Sequence, residues 1–268
     1  MTHTQPIRRE RLIQVGPETL IELIKGIRVC PFASGSLGAI GFSTGFAILN
    51  PAARLPYHTH PCSESITTIK GRLEVVVEGR AYHLLPFDSI HLPTGVAHMV
   101  ANLGNDEQTV VLTAFPTGEI SRTLVPDEFT RVDRKNLLPS LDDPETLTRF
   151  MDATEKKLFP NTIFKNLFTS RPDSAGICGG FVRLQPGSSL PCHSVSYDET
   201  STIVKGHATY IVAGRKYSLR DDATIFVPEG IPRQLINEGS ETAELIWVFA
   251  GETPERTIID PQFCAPPN

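Results

Sequence analysis

Four residues in the first half of this 268-residue chain have the types and the spacing to hold a metal ion. They read His58-x-His60-x-x-x-Glu64, and His98 follows within Pro93-x-Gly95-x-x-His98-x-x-x-Asn102. Residues i and i+2 of a strand point to one side, so His58 and His60 aim at the same place. A short loop through Pro61 and Cys62 brings Glu64 onto the neighbouring strand. The Pro-x-Gly turn ends a further strand and sets His98 on the next. Three imidazoles and one carboxylate suit a borderline divalent ion: Fe(II), Mn, Co, Ni, Cu or Zn. Four protein ligands leave positions open on an octahedral ion, as a catalytic metal requires. A histidine pair two apart is common in packed strands. The pair with Glu64, the step to Gly71 and the downstream Pro-x-Gly-x-x-His make a convergent set and carry far more weight.

The elements that must position these residues occur twice. The segment LPYHTHPCSESITTIKGRLEVVVEGRAYHL starts at Leu55 and LPCHSVSYDETSTIVKGHATYIVAGRKYSL starts at Leu190, a shift of 190 − 55 = 135. The same shift pairs His58 with His193, Glu64 with Glu199, Gly95 with Gly230 and Asn102 with Asn237. Residues 41–125 and 176–260 thus align without a gap, as a duplicated domain. Each copy reads as short strands: Arg72–Glu78, Tyr82–Leu85, Ser89–Leu92 and Gln108–Phe115 in the first, Ala208–Ala213, Tyr217–Leu219, Thr224–Val227 and Ala243–Phe249 in the second. Gly79 and Gly214 sit where a hairpin needs a residue free to take positive φ. Helix is expected in two places. One is Pro17–Lys25; the other is Asp143–Leu158, capped by Asp143 and placing Leu147, Phe150, Met151 and Leu158 on one face. The expected layout is an extension over 1–40, a metal-binding barrel over 41–130, a linker with a helix over 131–170 and a second barrel over 171–268.

This pattern resembles the two signature motifs of the cupin superfamily, Gly-x5-His-x-His-x3/4-Glu-x6-Gly and Gly-x5-Pro-x-Gly-x2-His-x3-Asn, and its double occurrence resembles a bicupin. The resemblance implies an all-β protein of two tandem jelly-roll barrels, and it carries the ligand role onto His58, His60, Glu64 and His98. The departures are informative. Ala52 and Phe87 stand where the two motifs usually open with Gly. In the second copy His193 and Glu199 remain, but Val195 and Arg233 replace two histidines. A fixed guanidinium repels a cation, so one metal is expected, in the first barrel only.

Other readings complete the expectation. His91, Thr68, Tyr57 and Arg54 are candidate substrate contacts, with plain packing as the alternative for each. No residue is assigned a catalytic role. His193, Glu199, Arg233 and Tyr197 are expected to form a polar cluster in the second barrel. The glycines of residues 34–45 lack the spacing of a dinucleotide loop. Cys62 and Cys192 read as small buried fillers. Five cysteines with no CxxC argue against a disulfide framework or zinc ribbon. A net charge of −5 without a basic cluster excludes nucleic acid as an expected partner, and no apolar run approaches the roughly 20 residues of a membrane span. The N-terminus lacks a signal-peptide core, so a cytoplasmic protein is expected. The family implies a homodimer. The leading functional expectation is a metal-dependent enzyme on a small organic metabolite, a dioxygenase using Fe(II) in preference to an isomerase or lyase. The alternative is a non-catalytic ligand-binding or sensory bicupin, for which the chain carries no output domain.

Overall fold

β-Branched and aromatic residues in short runs, separated by Gly and Pro turns, build four antiparallel-rich sheets. The structure is a computed structural model and describes residues 8–168 and 176–265. The first barrel faces a seven-stranded sheet, with Glu64–Lys70, Thr109–Phe115 and Ser43–Leu49 at its centre, against a six-stranded sheet containing Arg54–Thr59, His98–Asn102 and Leu73–Val77. The second barrel repeats this with a six-stranded sheet around Glu199–Lys205 and Ala243–Phe249 and a five-stranded sheet around His193–Val195 and Arg233–Ile236. Strand alternation decides what each face buries. Leu73, Val75 and Val77 enter the first barrel's core with Ile66, Leu84 and Val111, while Val76 points outward to pack with Tyr57 and Met99. The outer faces of the two large sheets pack on each other through Phe32, Phe46, Leu112, Phe181, Phe226 and Ile246.

The duplication is longer than the motifs reveal. Glu10 and Glu145 share the repeat spacing, and each reaches the opposite repeat's barrel. Glu145 accepts hydrogen bonds from Arg80 (2.8 and 2.9 Å) and from the Tyr82 hydroxyl (2.7 Å). Glu10 accepts from Arg215 and from the Tyr217 hydroxyl (2.6 Å). The strands behind them follow suit: Arg11–Gln14 pairs with Ala223–Phe226 of the second barrel, and Thr146–Thr148 with Ser89–His91 of the first. The leading strands of the two repeats are therefore exchanged. The register is not gapless either. Thr109 pairs with Leu49 and Ala243 with Leu184, so beyond Gly104 the first repeat holds one extra residue.

Neither expected helix forms. Pro17–Thr19 is a single 3-10 turn, and Ile21–Ile24 turns back at Gly26 (φ 85°) to pair with Ile27–Ala33. Across 143–158 the helical periodicity loses to tertiary anchors. Buried Glu145 is held by Arg80, Arg149 reaches Asp88 (2.8 Å), and the Phe150 N–H donates to Asp88 (2.9 Å). Of the supposed apolar face, Met151 and Leu158 lie exposed. The expectation against disulfides also fails in one place: Cys192 and Cys264 are bonded, with Cα atoms 6.0 Å apart, and pin the C-terminal segment to the second barrel. They lie 72 residues apart, so only the fold brings them together. No helix among the described residues is long and apolar enough to cross a membrane.

The two positions where Gly was expected by resemblance keep the backbone that Gly would serve. Ala52 lies at φ 58° and Phe87 at φ 70°; their repeat mates, Gly187 and Asp222, lie at 75° and 65°. A left-handed non-Gly residue costs of order 1 kcal/mol or more. Ala52 is exposed and loses no packing on truncation, whereas Phe87 stacks near Phe150 (5.0 Å) and Phe181 (5.3 Å). Ala52→Gly is expected to raise stability by up to about 1 kcal/mol. Phe87→Gly, at a similar φ, is expected to lower it by about 2 kcal/mol or more. Thermal melts of the two variants check both signs.

Candidate metal centre

His58 and His60 alternate with Thr59 on strand Arg54–Thr59 and its exit, Glu64 opens the next strand, and His98 opens strand His98–Asn102 directly opposite His58. The Pro93–Gly95 turn is what sets His98: Gly95 at φ 77° donates its N–H to the His60 carbonyl at 3.0 Å. All four side chains are buried, and one ligand atom from each lies within 4.8 Å of the others.

The backbone fixes how each ring faces. Nδ1 of His58 lies 2.8 Å from the Pro56 carbonyl, Nδ1 of His98 is 3.0 Å from that of Val96, and Nδ1 of His60 is 2.5 Å from that of Ser121. A carbonyl only accepts, so each Nδ1 carries the proton and each Nε2 presents a lone pair to the centre. There Nε2 of His98 and of His60 lie 3.0 and 3.4 Å from Oε2 of Glu64. Lone pairs facing a carboxylate repel unless a cation lies among them. The set therefore fits a divalent transition ion, with the outer carbonyls supplying the orientation such ligands need. Burial opposes ionisation of Glu64, but the imidazoles of His60 and His98 outweigh it and hold the carboxyl well below the usual range. Burial and then neighbouring His98 push His58 down to about 4, keeping it a neutral ligand at ordinary pH. Burial pulls His60 down, yet Glu64 overcomes this and its net shift is upward.

The second barrel meets the same demand differently. Arg233 is fully buried, and its guanidinium donates to Glu199 Oε2 (2.6 Å) and to the carbonyls of Pro228 (2.7 Å) and Ile231 (3.1 Å). A covalently attached cation thus sits on the carboxylate that matches Glu64. His193 keeps its bond to the Pro191 carbonyl (2.8 Å), and burial followed by the Arg256 charge pushes it down to about 4. Tyr197 packs beside Cys178, Val195 and Phe249, and the hydroxyl in the buried network belongs instead to Tyr210, which donates to Ser201 (2.7 Å).

The first barrel's ligands open on a cavity of about 530 Å³. Leu49, Leu55, Ile66, Val100, Val111 and Phe115 form much of its wall, and Glu119, Ser121 and Arg122 stand among the polar lining residues. The four substrate candidates lie elsewhere. Tyr57 faces outward, accepting from the Gly79 N–H (3.1 Å) and packing on Phe129. Arg54 is exposed near Asp127. His91 lies on the outer side of its strand, with Nδ1 2.7 Å from the Ser65 hydroxyl. Thr68, though of Glu64 parity, is buried at the bulge opposite Val111, away from the cavity. Cys62 is half-buried and unbonded, and burial and then the Glu64 charge push its thiol up. The sequence reading missed Arg122 and the Ser121 carbonyl. The repeat held a signal for Arg122, but a gapless register set it against Thr257. The structural register sets it against Arg256, because Leu124 pairs with His58 as Ile258 pairs with His193.

Two stretches, residues 45–115 and 180–249, match the family described as Cupin domain. The chain belongs to the cupin family and carries two copies of its domain. Polyketide synthase CurC of Streptomyces cyaneus is 32% identical over 82 residues, covering 30% of this chain and 53% of that protein, so the chain spans about half the length of this relative. Among solved structures, oxalate decarboxylase of Lactobacillus farciminis, in its formate complex, superposes with TM-score 0.71 at 16% identity, over 96% of this chain and 90% of that one. Vicilin of Corylus avellana gives 0.67 at 13% identity, over 92% and 87%. A mutant of salicylate 1,2-dioxygenase from Pseudoaminobacter salicylatoxidans gives 0.66 at 15% identity, over 83% and 75%. At such identities the likeness is one of fold.

His60→Ala is expected to abolish metal retention, and His193→Ala to leave it unchanged at about one ion per chain. Elemental analysis of protein purified without added metal checks this; equal behaviour of the two variants would refute the asymmetry between barrels. Arg233→Met strands the Glu199 carboxylate in the second barrel and is expected to cost about 3–5 kcal/mol in chemical denaturation.

Proposed function

We propose that the chain is a metal-dependent enzyme that oxidises a small, largely apolar organic molecule with dioxygen. The observation that carries this reading is the cavity itself. It exposes the metal-ligand cluster to a space within the range of small-molecule sites, and its inner wall is mostly aliphatic and aromatic. An isomerase or lyase needs a protein base within reach of the substrate. Apart from the four ligands, one carboxylate and one guanidinium line this cavity among the described residues, those of Glu119 and Arg122, and Glu119 is exposed to solvent. A redox-active ion, Fe(II) for preference, would supply coordination of substrate and dioxygen and the electron exchange between them.

The chain's own residues do the rest. The carbonyls of Pro56, Ser121 and Val96 hold the three imidazoles in the ligating tautomer. Phe115, whose ring lies 5.0 Å from that of His60, and the aliphatic wall exclude water from the reacting molecule and hold its apolar body. The name of the curated relative points to polyketides, which present phenols and β-dicarbonyls to a metal, and an apolar wall suits such skeletons.

The test is oxygen uptake by Fe(II)-loaded protein across catechols, hydroxybenzoates, β-dicarbonyls and phenolic polyketides. Uptake with at least one member is expected. His98→Ala is expected to lower it by more than the about 10–100-fold that loss of an outer-shell partner costs. Silence across the panel, with Mn or Zn as the resident ion, would replace this reading by an isomerase or lyase.

A further inference from the structure

The geometry points to Arg122 as the anion-binding residue of the first barrel's cavity, and to a small amphipathic acid as the molecule the cavity takes: an apolar body carrying one carboxylate. The inference rests on the cavity being the substrate site.

Arg122 is half-buried, lines the cavity and lies close enough to His60 for its charge to act on that ring. The preceding residue, Ser121, is the one whose carbonyl orients His60, so the backbone that sets a ligand also places the guanidinium. Among the described residues no carboxylate forms an ion pair with Arg122. Glu119, the other charged residue at this rim, is exposed.

The repeat shows what this position does when the barrel is closed. Arg256 lies opposite Val195, as Arg122 lies beside His60. Its guanidinium turns inward, 5.6 Å and 6.0 Å from the rings of Phe159 and Phe164, and it interacts with the charge of Glu199. The second barrel therefore answers this arginine from inside. In the first barrel Glu64 is committed to the metal cluster, and the space that Arg256 fills in its own barrel is left open to a ligand. A half-buried guanidinium beside an apolar wall favours an anion that brings its own hydrophobic body, because the body is paid for by burial and the carboxylate by paired donors.

Binding, rather than turnover, tests this. Naphthoate and its neutral counterpart acetylnaphthalene are titrated by calorimetry, without oxygen, into metal-loaded wild type, Arg122→Gln, Arg122→Lys and Arg256→Gln, with metal content measured on every sample. The expected result is tighter binding of naphthoate than of acetylnaphthalene by wild type. Arg122→Gln weakens naphthoate by about 10–100-fold and leaves acetylnaphthalene unchanged. Arg122→Lys restores part of the preference, and Arg256→Gln keeps it whole. The inference is overturned if wild type does not prefer the acid, or if the preference survives in Arg122→Gln. A preference that depends on Arg122 in a protein that consumes no oxygen would sink the oxygenase reading alone; oxygen uptake without such a preference would sink this inference alone.

Discussion

A carboxylate buried among neutral imidazoles, with nitrogen lone pairs turned toward it, is an arrangement that only a cation makes favourable. Burying an anion in a medium of low polarisability costs several kcal/mol, and with Nδ1 carrying the proton a neutral imidazole has no Nε2 proton to donate to it. Glu64 in the first barrel and Glu199 in the second impose this demand at equivalent points of the fold. One barrel offers a donor set that fits an ion from solution, the other answers with the Arg233 guanidinium that comes with the chain. Everything functional about the asymmetry of the molecule follows from that difference. A tethered cation, hydrogen-bonded to Glu199 and two carbonyls and fully buried, has no coordination position to give a ligand, whereas a divalent ion on four ligands would keep open positions.

The second barrel still contributes. The outer faces of the two large sheets bury a shared aromatic layer, and the exchanged leading strands tie each barrel to the other repeat. Glu10 and Glu145 lock that exchange through matching Arg–Tyr pairs. The metal-binding sheet is thereby clamped from behind, so that ligands on its inner face stay where rigid elements hold them. The C-terminal strand of the second barrel, stapled by Cys192–Cys264, has a counterpart in the first barrel, where Thr123–Leu124 pairs with Thr59 and His58 and the residues just before it line the cavity.

Much of this was legible in the sequence, and for local reasons. Strand parity put His58 and His60 on one side, the Pro-x-Gly turn announced His98, and the loss of two histidines in the second copy announced the Arg233–Glu199 pair that stands there. The strands Ser89–Leu92 and Ala243–Phe249 have the bounds that pattern alone suggests. Hairpin turns at Glu78–Gly79 and Ala213–Gly214 take positive φ at both residues, as two-residue turns of type I′ require. Periodicity misled where side chains found other partners: Asp143 accepts from the preceding turn at Ser140, and Glu145 is bound by distant Arg80, which leaves no helix to cap.

The sequence by itself determined the duplicated β architecture and the convergence of His58, His60, Glu64 and His98 on one point, because these follow from residue type at short, fixed spacing. Tertiary structure alone decided that the Ser121 carbonyl orients His60, that His91, Thr68, Tyr57 and Arg54 stand outside the cavity, that Arg122 lines it, and that Cys192 meets Cys264. Each of these depends on contacts between segments far apart in the chain or on a register that one inserted residue shifts. On a strand, such a shift turns every side chain to the other face.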